Sequence, residues 1–127
     1  MLYKIDKITK LYKEKDGREK YALKDVSFTL PNNGLIVIKG KSGSGKSTLL
    51  NMLSLIDNPT SGDIYFKERK INKFKAKKRN SYRKKNISII FQHYHLLENE
   101  TSLFNVMLPS LINGYSFKEA KNKALIL

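Results

Sequence analysis

The sequence has no cysteine. That excludes disulfide bridges, thiolate metal centres and cysteine nucleophiles, and it fits a reducing compartment such as the cytosol. No apolar run approaches the ~18–20 residues of a membrane-crossing helix. The first ten residues alternate apolar and charged side chains and lack the apolar core of a secretory signal. The chain is therefore expected not to span a membrane itself, although it could dock on one. Internal repeats and low-complexity tracts are absent apart from one basic run. Acidic side chains are scarce, with 11 Asp and Glu against 25 Lys and Arg and a formal net charge of +14. Such an excess attracts nucleic acid, anionic lipid headgroups or nucleotide phosphates, unless it is only a compositional bias toward solvated lysines. With 40% hydrophobic and 28% charged residues in 127, the composition suits a globular domain or a large part of one.

Periodicity predicts an α/β chain. Residues 2–9 alternate with period two and mixed faces, suggesting an edge strand. A polar stretch with Asp16-Gly17 then turns the chain into a second strand over 21–30, giving a hairpin with an enlarged turn. After the punctuation at 31–34, Leu35, Ile36, Val37 and Ile38 form a continuous apolar run, expected to be a strand buried on both faces of a parallel sheet. Leu49, Leu50, Met52, Leu53 and Ile56 recur at helical spacing after Ser47, and the turn at 58–62 leads to a short strand over 63–66. Residues 67–85 are basic and expected to be partly a solvated helix. Residues 87–91 read as another buried strand ending at Gln92, and 103–112 as an apolar helix. Ser116 and Glu119 form a capping-box signal for a last helix.

Between the apolar run and the first helix lies Gly40-Lys41-Ser42-Gly43-Ser44-Gly45-Lys46-Ser47-Thr48, the pattern Gly-x-x-x-x-Gly-Lys-Ser/Thr of a phosphate-binding loop. Gly40, Gly43 and Gly45 let the backbone turn successive N–H groups inward as an anion nest. Ser42 and Ser44 belong to the same cradle, and the following helix adds unpaired amides and the positive end of its dipole. Lys46 can reach the β- and γ-phosphates of a nucleoside triphosphate, Ser47 can ligate Mg2+, and Thr48 can hydrogen-bond the α-phosphate. ATP with Mg2+ is the expected ligand.

Residues 40–62, GKSGSGKSTLLNMLSLIDNPTSG, closely resemble the ATP-binding subunits of ABC transporters. Residues 87–97, ISIIFQHYHLL, look like that family's Q-loop strand, and residues 22–28, ALKDVSF, match the antiparallel strand ahead of its phosphate loop. The resemblance implies that Tyr12 stacks on adenine, with sheet packing of Tyr12, and Tyr21 nearby, as alternatives. It implies that Gln92 touches Mg2+ and the attacking water, so that Lys46 and Gln92 carry catalytic roles and Ser47 and Gln92 contact the metal. The segments at 55–62 and 91–97 look most like export-type subunits serving lipoprotein-release, macrolide-export or antimicrobial-peptide-export systems.

Other family motifs are missing from these 127 residues: the Leu-Ser-Gly-Gly-Gln-like signature, the apolar strand ending in Asp-Glu, and the histidine loop. His93 and His95 follow Gln92 too closely to be the switch histidine. The resemblance therefore implies an incomplete P-loop NTPase core with an antiparallel β-subdomain (residues 1–100) and the start of a helical subdomain (101–127), with negligible ATPase activity alone. The expected function is ATP binding in the energy-coupling subunit of an exporter. Its expected partners are a membrane permease and a second ATP-binding subunit, on the inner face of the cell membrane. Two alternatives remain: a nucleic-acid-binding P-loop protein using the basic run at 73–85, and a soluble P-loop switch.

Overall fold

The computed structural model describes residues 1–93 and 95–126. The chain divides into two compact units, Met1–Ser88 and Ile89–Leu127.

In the first unit, β1 (Tyr3–Lys13) and β2 (Glu19–Leu30) form the expected hairpin, its strands running further toward the turn than the sequence pattern marks. With β3 (Ser61–Phe66) and β4 (Arg69–Lys70) they make an antiparallel sheet of order β2-β1-β3-β4. β1 is thus an inner strand rather than the edge strand its mixed faces suggested. The mixed faces come from a bulge. From Ile5 to Ile8 β1 advances three residues while its β2 partners retreat two, from Phe28 to Val26. Between Asp6 and Thr9 the same extra residue appears against β3. The slip, with Lys7 at φ 49°, turns Ile8 onto the face already occupied by Tyr3 and Ile5, and all three are buried. Opposite the bulge, Gly62 has φ 85°, and a Cβ there would collide with the main-chain oxygens of Asp6 and Lys7. Only glycine fits that position.

Helix α1 (Lys46–Leu53) buries Leu49, Met52 and Leu53 against Tyr3, Ile5, Ile8, Ile64, Phe66 and Ile71. It ends at Leu53, short of Ile56, the last residue of the apolar spacing. Leu55 adopts φ 58°, its N–H bonds Met52 O at 3.1 Å, and Ile56 N–H reaches back to Asn51 O at 2.9 Å. This is the paired closure that usually uses glycine. Leu55 bears the left-handed strain because its side chain is buried. Tyr3 fixes the same end, donating its hydroxyl to Leu53 O at 2.8 Å. Helix α2 (Ala76–Asn86) completes the unit and buries no residue.

The second unit holds α3 (Ser102–Ile112), capped by Thr101, and α4 (Phe117–Ala124), whose predicted Ser116–Glu119 capping box is formed. Met107 and Ala120 are its buried residues.

Two expectations fail. Residues 35–38 and 87–91 join no strand ladder. Leu35 is 91% exposed and Ile90 fully so. A strand buried on both faces needs neighbours in its own sheet and layers above and below it. Among the described residues, the strands that pair are all committed to the antiparallel sheet.

Burial, and secondarily the neighbouring Tyr82, push the Tyr3 hydroxyl up to about 12 from 10.0. The folded value exceeds the unfolded one, so this contribution to stability is whole below pH ~10. It is lost as pH rises toward 12, because the unfolded chain ionises first. At neutral pH, Tyr3→Phe is expected to cost about 1 kcal/mol, the lost bond to Leu53 O. In urea titrations the gap between wild type and variant should shrink between pH 10 and 12, and a constant gap would contradict the burial of the hydroxyl.

Candidate functional site

The glycine-rich loop of residues 40–45 enters α1 through Gly45, whose φ of 90° is left-handed and which offers no side-chain cap. Helices α3 and α4 each have one first-turn amide taken by a capping side chain, Phe104 N by Thr101 and Glu119 N by Ser116. In α1 the first amide with a carbonyl partner is that of Leu49, bonded to Gly45 O at 2.8 Å. Among the described residues no group accepts from the amides of Gly45, Lys46, Ser47 or Thr48. No acidic residue lies in the first turn, so nothing there offsets the positive end of the dipole.

Lys46 curls over this opening. Its ammonium donates to Gly40 O at 2.9 Å and Lys41 O at 2.7 Å and lies 3.5 Å from Ser44 Oγ. Gly43 has φ 76°, and the space around it is open. A Cβ on Gly40 would stand 2.6 Å from Ser44 Oγ. Ser42 and Ser47 are exposed, and Thr48 is half-buried. Amides without acceptors, one ammonium and small hydroxyls are thus gathered within nine consecutive residues, a donor set whose chemistry fits a polyphosphate and its divalent cation.

The hairpin sets the position of the loop. From Lys10 to Leu11 β1 advances one residue while the partners on β2 move two, from Leu23 to Tyr21. Ala22 is therefore the extra residue of a bulge. A Cβ on Gly45 would collide with Ala22 O and stand 2.8 Å from Leu23 Cδ2, so the last glycine of the loop rests directly on the bulged strand.

Tyr12 pairs with Lys20, two residues along β2 from Ala22, a separation of about 7 Å at normal strand rise. Its ring remains 42% exposed, and its hydroxyl donates to Asp57 Oδ2 at 3.1 Å. The ammonium of Lys10 bonds Asp57 Oδ1 at 2.7 Å and Asn58 O at 2.9 Å, and sits 5.0 Å from the Tyr12 ring centroid. Partial burial raises the Asp57 carboxyl, but the bonds from Lys10, the Asn58 amide and Tyr12 outweigh it and hold the group below its ordinary value. Sequence reasoning missed Asp57 and Lys10. The local signal at Asp57-Asn58-Pro59 is a turn, and nothing in the sequence ties it to a tyrosine 45 positions earlier.

Gln92 lies in the second unit and is exposed beside His93, His95 and Glu98. His95 Nδ1 lies 2.7 Å from His93 O. Among the described residues no cluster of three or more His, Cys, Asp or Glu side chains could hold a metal ion.

The chain matches the family described as ABC transporter over residues 23–125. It is 44% identical over 124 residues to the lipoprotein-releasing system ATP-binding protein LolD of Wigglesworthia glossinidia brevipalpis, a match covering 98% of this chain and 54% of that protein. The same protein of Idiomarina loihiensis is 37% identical, covering 97% and 54%. Among solved structures, the ATP-binding cassette MJ0796, as a dimer in a post-hydrolysis state with ADP and Pi, superimposes with a TM-score of 0.88 at 34% identity, covering 98% of this chain and 54% of its own. A second dimeric structure of MJ0796, described as a bacterial ABC transporter cassette, gives the same values. The chain spans about half the length of the relatives it matches.

Two glycine substitutions separate loop conformation from docking. Both positions have positive φ, a strain of about 1–2 kcal/mol for alanine. Only Gly45 has neighbours a Cβ would strike, and around Gly43 the space is open. Gly45→Ala should therefore lower the thermal midpoint clearly more than Gly43→Ala. Equal losses would mean that the loop does not rest on the hairpin.

Proposed function

The chain belongs to the ABC transporter family, and from that premise we propose that it is the nucleotide-binding part of an energy-coupling subunit. It binds ATP with Mg2+ on residues 40–48, and ATP hydrolysis by the full-length subunit drives transmembrane export. The observation that carries this reading is the start of α1, where the amides of residues 45–48 have no acceptor among the described residues and the Lys46 ammonium is held on Gly40 O and Lys41 O.

The roles follow from the chemistry of each group. Gly40, Ser42, Gly43, Ser44 and Gly45 give the backbone cradle, and Lys46 neutralises the terminal phosphates. Ser47 offers a hydroxyl to Mg2+, and Thr48 serves the phosphate nearest the ribose. When bound, Mg2+ draws negative charge from the phosphate oxygens. Tyr12 offers its open ring to adenine, a contact worth ~1–3 kcal/mol for any base, with Asp57 fixing the edge of that ring. Gln92, a neutral amide, orients water without taking its proton.

The relatives' description as lipoprotein-releasing ATP-binding proteins supports an exporter of that kind. It also supports a membrane permease as partner, on the inner face of the cell membrane. The dimeric MJ0796 cassettes support a second ATP-binding subunit as the other partner. A nucleic-acid-binding P-loop protein and a soluble switch are disfavoured, because neither gives a place to Tyr12 and its hairpin.

Each charge-assisted bond from Lys46 is worth ~1.5–3 kcal/mol, so Lys46→Ala is expected to weaken MgATP binding at least tenfold in calorimetric titration. Unchanged affinity would remove the reading. The 127-residue chain alone, which lacks the signature and Asp-Glu motifs, is expected to hydrolyse ATP no faster than that variant.

A further inference from the structure

Ten of the 25 Lys and Arg lie between Arg69 and Lys85, and no Asp or Glu occurs between Glu68 and Glu98. Helix α2 sorts these cations by type. On its inner side Arg79, Tyr82 and Arg83 are half-buried. Tyr82 packs edge-on against Phe66 and Phe74, with centroids 5.8 and 5.3 Å away, and Arg83 Nη1 donates to Leu55 O at 3.2 Å. Lys77, Ser81, Lys84 and Lys85 share the opposite face, spread along about 12 Å of axis, and all are exposed. Lys75 and Lys78 extend the face at its start, Lys78 lying 4.2 Å from the Phe74 ring centroid.

A solvated surface helix normally mixes charge signs and forms acid–base pairs one turn apart. Among the described residues no ion pair involves α2. Its first turn has no acid, and Lys75 caps it without a side-chain bond, which places lysines where the helix dipole opposes them.

We propose that the lysine face of α2 is an electrostatic docking surface for an anionic lipid bilayer. The surface goes beyond nucleotide binding and uses no residue of the phosphate loop. Its chemistry favours a bilayer over nucleic acid. The outward cations are lysines, compact point charges suited to a diffuse field of headgroups, while the forked arginines, better at bidentate phosphate recognition, face inward. The one aromatic ring of the helix is half-buried and held edge-on by Phe66 and Phe74, which leaves only part of it open to a base. The side-chain amide of Asn86 already donates to Tyr82 O at 2.8 Å. Among the described residues no helix is long and apolar enough to cross a membrane, so contact with a bilayer would rest on charge.

The test is co-sedimentation of the 127-residue chain with phosphatidylcholine vesicles, with and without about one third phosphatidylglycerol. Retention is expected only on the anionic vesicles at about 50 mM salt and should be largely lost at about 300 mM. K77Q/K84Q/K85Q should lower vesicle partitioning about 100-fold, with its circular dichroism unchanged because glutamine matches lysine in helix propensity. K13Q/K15Q/K118Q removes the same charge from exposed positions elsewhere and should lower partitioning less than about tenfold. Equal losses in the two triple variants would overturn the proposal in favour of bulk charge. Tighter α2-dependent binding to a random DNA duplex than to anionic vesicles at matched salt would overturn it in favour of nucleic acid. MgATP titration of the same samples separates this surface from the nucleotide reading, since vesicle binding by a chain that took up no ATP would leave the lysine face standing.

Discussion

Main-chain oxygen pressed against glycine is the contact on which the rest of this molecule depends. It occurs twice, each time where a strand carries an extra residue. At the first bulge, Asp6 and Lys7 approach Gly62 and fix the register of β3 on β1. At the second, Ala22 approaches Gly45 and fixes the phosphate loop on β2. Neither contact leaves room for a methyl group, so sheet register and loop position are set by backbone shape before any side chain packs. The apolar face of α1 then fills the space between them with Leu49, Met52 and Leu53.

That arrangement explains why the start of α1 can stay open. A helix preceded by Ser or Thr would satisfy one of its first amides internally. Here a glycine holds the turn through contact with another strand, and the amides of residues 45–48 have no acceptor among the described residues. Lys46, tethered by two carbonyl oxygens of its own loop, waits at the same opening at little further cost in side-chain entropy. The stability of the hairpin and the readiness of the site are therefore one property. The same hairpin carries Tyr12 and, through Lys10, the carboxylate that anchors it.

The apolar segments at 35–38, exposed throughout, and 87–91, exposed at Ile90 and Phe91, stay outside the sheet. Their composition is that of central strands, yet pairing is a non-local act, and among the described residues the strands that pair do so only within the antiparallel sheet. The relatives are nearly twice as long, which leaves ample polypeptide for such pairing in a protein of their size.

The sequence by itself determined the local chemistry. The glycine spacing named the phosphate loop, Asp16-Gly17 the hairpin turn, and Ser116 with Glu119 the start of α4, because each depends on residues within a few positions of one another. It also carried enough pattern to place the chain among the ABC transporter cassettes. Only the tertiary structure decided that β1 lies inside the sheet, that Leu55 closes α1, that Ala22 bears the loop, and that Asp57 holds Tyr12. Except for the closure at Leu55, those outcomes join residues more than 20 positions apart, through strand pairing, bulges and one side-chain bond, and a one-residue slip in register reverses which face of a strand is buried. No local pattern encodes such a slip, and packing alone selects it.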